Sequence, residues 1–429
     1  MFERPDPDAL RGVPDIETGD LPAFAPVERH RDQPTVEDVP RATREALSAI
    51  DLSGLDSGDE VAVAAGSRGI HDVATVVGTV VAELQDRGFA PFVFPAMGSH
   101  GGATPEGQRE TLASVGITEE SVGCEIRASM AVEVVGEDGD GRPVVVAADA
   151  LAADAILLVN RVKLHTNFSA AIESGLCKMA VVGMGKQRGA AAAHKTAKTV
   201  GFDRLIPEWA AVVFEAAPVV GGVAILENAD ERTAAVEGVP VEEILDREPA
   251  LLDRARELQP MLPVDDLDLL VVDEIGKNIS GPGMDTNVIG RLRMESEPDP
   301  AEPSITRIYV RSLTEETHGN GNGTGLADFL HESVLSELDL TDTYVNCLTA
   351  GQPARGFLPV VVPDDETALR LAYSTTGVTD PDEFRAARIQ NTLEPDDLLV
   401  SEPVAAELRG RENFTVGEPA PLRLDGGSL

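Results

Sequence analysis

Short apolar runs alternate, along the first half of the chain, with longer stretches in which apolar positions recur every three or four residues. Glu60–Ala65 reads EVAVAA, a small and β-branched run closed by GSRG, and the valines and leucine of residues 72–86 follow at helical spacing up to Gly88. Residues 89–94 predict the next strand. The loop PAMGSHGGATPEG follows it, with Thr104 placed to cap a helix whose first position is Pro105 and which runs to about residue 115. Further strands are expected at 144–148 and 155–159, the first entered through the hairpin-like turn GEDGDG. Strand–helix–strand repeats of this kind predict a parallel sheet whose ligands gather at the carboxyl ends of its strands.

Residues 1–40 are rich in proline and acid without sustained periodicity, and an extended arm lying on the first domain is expected there, with a short helix from Ala42 after it. The charged stretch 241–261 has helical spacing interrupted at Pro249 and reads as the connection between domains. LDLLVVD at 267–273 opens a second lobe as a buried strand, and strands near 308–310 and 358–362 keep that lobe α/β. HGNGNGTG from His318 is read as a flexible surface turn without chemistry. At 429 residues the chain exceeds what one core usually supports. The expected fold is α/β, with two α/β lobes, mostly parallel sheets and a cleft between them. Residues 1–260 are expected to form the catalytic and cofactor-binding domain, and residues 261–429 a domain that closes over the cleft.

Charge narrows the partners. Asp and Glu number 74 against 35 Lys and Arg, a formal net charge of −39, which repels nucleic-acid backbones and anionic membranes. Apolar residues remain at 42%, so a folded chain with a solvated acidic shell is expected rather than disorder. Lysine occurs only as Lys163, Lys178, Lys186, Lys195, Lys198 and Lys277, a usage that resembles halophilic proteins of salt-accumulating archaea. Five of the six fall between 163 and 198, which points to ammonium or amine chemistry in that stretch. Cys124, Cys177 and Cys347 form no C-x-x-C pair, which argues against a disulfide framework and a thiolate zinc site. No secretory h-region and no run of about 18 apolar residues is evident, and the expected location is cytoplasmic.

Arg68, His100 and His165 all lie just past a predicted strand end, where a cleft needs its polar groups. A lone loop histidine is more often a solvated polar residue, and His30, His71, His318 and His331 are read that way. Walker, dinucleotide, nucleophile-elbow and H-E-x-x-H patterns are all missing from the sequence. Within HTNFSAAIESGLCKMAVVGMGKQRGAAAAHK, residues 165–195, the middle is apolar enough to be buried yet carries Glu173, Lys178 and Lys186. A buried lysine must be paired or chemically used. Glu173 pairs with Lys178 or Lys186, or caps a turn; Cys177 reads as a small buried hydrophobe. Arg291 and Arg355 read as surface salt bridges ahead of anion contacts.

The series Arg68 in GSRG, His100 in GSHGGATPE, His165, Lys178 and His194 resembles the nickel-dependent lactate racemase family in order and spacing, most of all from Lys178 to His194. The resemblance covers residues 55–200, and the remaining chain by length and two-lobe organisation only. It implies that Lys178 carries, through a thioamide, a pyridinium-3,5-bisthiocarboxylic acid mononucleotide that holds nickel as a pincer, and that His194 completes the metal's coordination. An imidazole with soft sulfur donors suits square-planar nickel. It also implies that His100 and His165 are acid–base groups, and that Arg68 and Lys277 bind a small anionic 2-hydroxy acid. Two departures stand out: SAAIESGLC is longer and poorer in glycine than the family's segment, and Glu274 replaces an expected glutamine. A carboxylate there points away from lactate toward an acid bearing a further hydroxyl or amine.

The implied activity is a racemase or epimerase of a 2-hydroxy acid working by reversible hydride transfer. Removing the α-proton of such an acid would create a dianion far too basic for imidazole. A hydride route through a planar 2-keto acid needs instead one base for each enantiomer's hydroxyl. Two other readings compete: a nickel-free lyase or dehydratase using Lys178 as a Schiff base, and a non-catalytic small-anion sensor.

Overall fold

A computed structural model describes residues 5–66, 69–294, 298–424 and 427–429. The chain is α/β and forms two compact units, Gln33–Gln259 and Pro260–Leu429 together with the residues up to Asp32. No helix of the described residues is long and apolar enough to cross a membrane.

The unit Gln33–Gln259 is built on a five-stranded sheet in the order Ala90–Pro95, Glu60–Ala65, Ala155–Arg161, Val219–Glu227, Thr233–Pro240, parallel except for its last strand. Alternate residues of each strand feed opposite cores, so both faces are covered and the strands read as nearly unbroken apolar runs. Ala62, Ala64, Phe92, Phe94, Ile156 and Leu158 pack with Leu176, Met179 and Trp209. On the other face Val61, Val63, Val93, Leu157 and Val159 meet Val76, Val77, Val80 and Leu84 of the helix Val73–Asp86. The Thr104 hydroxyl accepts from the Gly107 N–H at 3.1 Å, and Pro105 opens the helix Pro105–Ser114. GEDGDG closes the antiparallel pair Val132–Glu137 and Pro143–Ala147. There Asp138 accepts from the Arg142 N–H at 2.8 Å and the Trp209 indole at 2.9 Å.

The other unit holds an eight-stranded mixed sheet. Val360–Val362, Phe329–His331, Ser304–Leu313, Asp266–Ile275 and Ala386–Ile389 run parallel, and Asp397–Ser401, Phe24–Arg29 and Phe414–Val416 continue antiparallel. The amino-terminal segment therefore departs from the expected arm on the first domain. Ala25 and Val27 alternate inward to join this unit's core, which gives Phe24–Arg29 a strand's reason to pair.

Two other expectations are corrected. Helix Ile244–Leu258 runs on through Pro249, because Ile244, Leu251, Leu252 and Ala255 pack on the core and outweigh one missing backbone hydrogen bond. HGNGNGTG is no surface turn beyond its start, since residues 321–325 are buried. A Cβ at Gly323 would stand 1.9 Å from the Pro282 carbonyl oxygen, and one at Gly325 1.9 Å from that of Ala354. The glycines serve close backbone approach rather than flexibility.

A shell this acidic repels itself when counterions are withdrawn, because the screening length grows from about 3 Å at 1 M salt to about 10 Å at 0.1 M. The melting temperature followed by circular dichroism is expected to rise with potassium chloride from dilute buffer to molar concentrations; a flat response contradicts this.

Candidate functional site

The strands Glu60–Ala65, Ala90–Pro95 and Ala155–Arg161 end side by side, and the loops leaving their carboxyl ends carry the predicted residues. Arg68 lies outside the described residues. His100 follows the second strand and is exposed, and His165 follows the third.

The segment from His165 to Lys178 is held by two buried carboxyl groups. Glu173, 1% exposed, accepts from the backbone N–H of His165 at 2.6 Å and of Ala170 at 3.0 Å. Of the two roles expected for Glu173, this is the turn-capping one rather than the pairing with Lys178 or Lys186. Burial pushes its carboxyl up, against the pull of those two N–H groups. Glu248, also 1% exposed, reaches in from the helix Ile244–Leu258 and accepts from the Cys177 N–H at 2.9 Å, at the start of the helical turn Leu176–Lys178. A carboxyl there satisfies an N–H that the turn leaves open. Burial pushes Glu248 up to about 7 and, with that carboxyl beside it, pushes the Cys177 thiol up as well. The Asn160 side chain donates to the Gly175 carbonyl at 2.8 Å and ties the same turn to the third strand.

Beyond Lys178 the helix widens into a π-helical turn, Met179–Gly183, before Lys186–Val200 resumes α geometry. Such turns collect at functional sites. The His100 loop rests on this one, because Gly98 N–H donates to the Gly183 carbonyl at 3.0 Å. A Cβ at position 183 would stand 2.4 Å from the Ala96 carbonyl oxygen, so the approach needs glycine.

Three of the predicted residues share one aromatic cluster. The His165 ring stacks on Phe168 with centroids 4.5 Å apart, Phe168 stacks on Phe202 at 4.8 Å, and His194 meets the Phe202 ring edge-on at 5.4 Å. Lys178 Nζ lies over the Phe168 face, 5.6 Å from its centroid. Burial first, then the ammonium groups of Lys178 and Lys198, hold the His194 imidazole below its usual range. The residue is nonetheless accessible to solvent, which gives the two ammonium groups more weight than burial alone. A lowered proton affinity favours the neutral imidazole, the form that ligates a metal. The Asn167 N–H donates to His165 Nδ1 at 3.0 Å, so the neutral ring carries its proton on Nε2.

Lys277 belongs to the other unit. Its Nζ donates to Asn346 Oδ1 at 3.0 Å, and burial holds the ammonium below its ordinary range. Asn346 Oδ1 also accepts from Asn322 at 2.8 Å, which places the HGNGNGTG segment beside this lysine. The Glu274 carboxylate is engaged by Asn391 at 3.1 Å and Gln390 at 3.3 Å. Arg291 and Arg355 are buried rather than on the surface: Arg291 pairs with Asp328 at 2.7 Å, and Arg355 reaches the Leu292 carbonyl at 3.3 Å. A concavity of about 560 Å³ on the eight-stranded sheet includes none of the predicted residues, and its Arg388 is paired with Asp273.

Phe168, Phe202, Glu248 and Gln108 are site-building residues that the sequence reading passed over. Aromatics make up only 4% of the chain, so two phenylalanines close to candidate histidines were a usable signal. Glu248 lies 71 residues from its partner Cys177 and offered none.

No family model matches the chain, and no curated protein matches it. Among solved structures it is similar to the lactate racemase apoprotein from Thermoanaerobacterium thermosaccharolyticum, at 12% identity, covering 89% of this chain and 86% of that one with a TM-score of 0.43.

Proposed function

We propose that the protein is a racemase or epimerase of a 2-hydroxy carboxylic acid that uses a nickel-pincer nucleotide attached to Lys178. The observation that carries this reading is the convergence of His165, Lys178 and His194 on Phe168 and Phe202, with the His100 loop seated on the turn after Lys178. The residues fit such a group. His194 offers a metal an imidazole whose proton affinity is lowered beside Lys178 and Lys198, a donor that sits well with the soft sulfurs of such a group. The Phe168 face beside Lys178 Nζ suits a flat aromatic ring bound through that nitrogen. When bound, the group supplies a carbon that accepts and returns hydride.

The chain's own residues do the rest. His100 and His165 hold and move the hydroxyl proton, one for each enantiomer. His165 rests as a donor at Nε2. Taking up a proton there requires Nδ1 to carry hydrogen and the Asn167 amide to let go, at a cost of about 1 kcal/mol. Arg68 binds the substrate's carboxylate, which also draws an anion toward an acidic protein.

Native protein is expected to carry about one nickel and a covalent mass addition on the peptide containing Lys178, and Lys178→Ala is expected to lose both. Peptide mass mapping with metal analysis of protein from its native host checks this. Active native protein with an unmodified Lys178 and no nickel overturns the reading in favour of Schiff-base chemistry.

A further inference from the structure

We infer that Lys186 is the positioning residue for His100, acting through Gln108. The inference rests on the proposed acid–base role of His100, but its geometry stands alone. Lys186 opens the helix Lys186–Val200 with φ at +52°, a left-handed conformation that is strained for a lysine. Its side chain then turns inward and is 1% exposed. Nζ donates to the Pro95 carbonyl at 2.6 Å and to Gln108 Oε1 at 3.0 Å. Gln108, fully buried on the helix Pro105–Ser114, passes the hold on: its Nε2 donates to the Gly98 carbonyl at 3.0 Å and the His100 carbonyl at 3.4 Å. The loop leaving the second strand is thus pinned at residues 95, 98 and 100 by two side chains.

A core position with no further task would be filled at lower cost by methionine or leucine. Here the ammonium is spent on carbonyl and amide oxygens of a single loop. The helix that presents it follows directly on the turn after Lys178, so one element sets both the cofactor lysine and the acid–base histidine. The described neighbours facing Nζ are the Phe94 ring, 5.8 Å away, and the carboxylate of Asp149 on the turn Ala148–Leu151. Burial, only partly offset by Asp149, brings the ammonium down to about 8. Above that pH the charge-assisted bonds become neutral ones of roughly half the strength.

The test is hydrogen–deuterium exchange, read peptide by peptide, on the full chain as purified, without substrate. In the wild type, protection of residues 96–104 relative to the chemical exchange rate is expected to fall about threefold as pH rises through 8. Lys186→Met and Gln108→Leu are each expected to lose roughly tenfold of that protection at pH 7 and to show no step near pH 8, while Glu60–Ala65 and Ala155–Arg161 stay protected. Equal protection of 96–104 in Lys186→Met and wild type overturns the inference. If that variant loses protection in the strands, Gln108→Leu decides by the same criterion. If both do, the wild-type pH profile decides, and a flat one overturns it. Exchange needs no turnover, so its outcome is separate from that of the racemase reading. Where turnover is measurable, Lys186→Met is expected to lower kcat and leave KM unchanged.

Discussion

His100→Ala and His165→Ala are each expected to slow interconversion of the substrate's enantiomers by about 10²–10⁴-fold, the usual worth of a positioned acid or base. A full turnover takes a hydroxyl proton off on one side and returns it on the other, so losing either histidine blocks both directions. Nickel content is expected to stay at the wild-type level in both variants. Neither residue forms the contact with Phe202 that belongs to His194, and the backbone of the segment stays braced by Glu173 and Glu248. His194→Ala is expected to lose metal together with activity, because it removes the imidazole whose proton affinity burial, Lys178 and Lys198 lower. The measurements are metal analysis, and racemisation across a panel of 2-hydroxy acids followed by chiral separation, on all three variants and wild type. Turnover that survives in His100→Ala and His165→Ala at near-normal rates removes the two-histidine mechanism. Metal retained in His194→Ala removes the assigned ligand.

What could be read from the sequence follows from how local each signal is. The strand Glu60–Ala65, the helix Val73–Asp86 and the cap at Thr104 depend on neighbours within a few positions, and the structure forms all three. The same holds for the placing of His100 and His165 just past strand ends. Phe24–Arg29 was illegible because its partners, Asp397–Ser401 and Phe414–Val416, come nearly four hundred residues later. Glycine in HGNGNGTG carried two meanings, freedom and close approach, and only the Pro282 and Ala354 carbonyls select the second. Within the site, Lys178 and Lys186 stood out by the rarity of lysine. The groups that aim them are a glutamate at 248 and a glutamine at 108, residue types too common in any sequence to mark themselves.

Stability is expected to pass through a minimum between about pH 7 and 8, set by Glu248 and Lys186. Glu248 is held at about 7 in the folded chain against an ordinary 4.5, so between those values the folded state binds more protons than the unfolded one. The stability it contributes is present below about 4.5 and is lost, to the extent of about 3 kcal/mol, as pH rises through 7. Lys186 runs the other way. Its folded value of about 8 lies below an ordinary 10.5, so the unfolded chain binds more protons in that window and stability rises by about 3 kcal/mol between them. Both groups are 1% exposed, so little solvent screening reduces either figure. Between the two transitions the interior of this unit carries an ionised carboxylate and an ionised ammonium at once. The shell's net charge of −39 adds its own pH dependence, but it is common to wild type and single-site variants. Urea unfolding at fixed high salt, from pH 4.5 to 10, isolates the two terms by difference. Glu248→Gln is expected to flatten the descent between 4.5 and 7, and Lys186→Met the rise between 8 and 10.5. Identical pH profiles in wild type and Glu248→Gln would show that Glu248 does not set the descent. Because Glu248 meets the Cys177 N–H one residue before Lys178, the pH at which it ionises is also where the start of that helical turn gains a full negative charge. That charge complements the turn's open N–H groups. The cost of ionising Glu248 in the interior therefore falls on the folded unit, while the gain falls on the turn that presents the lysine.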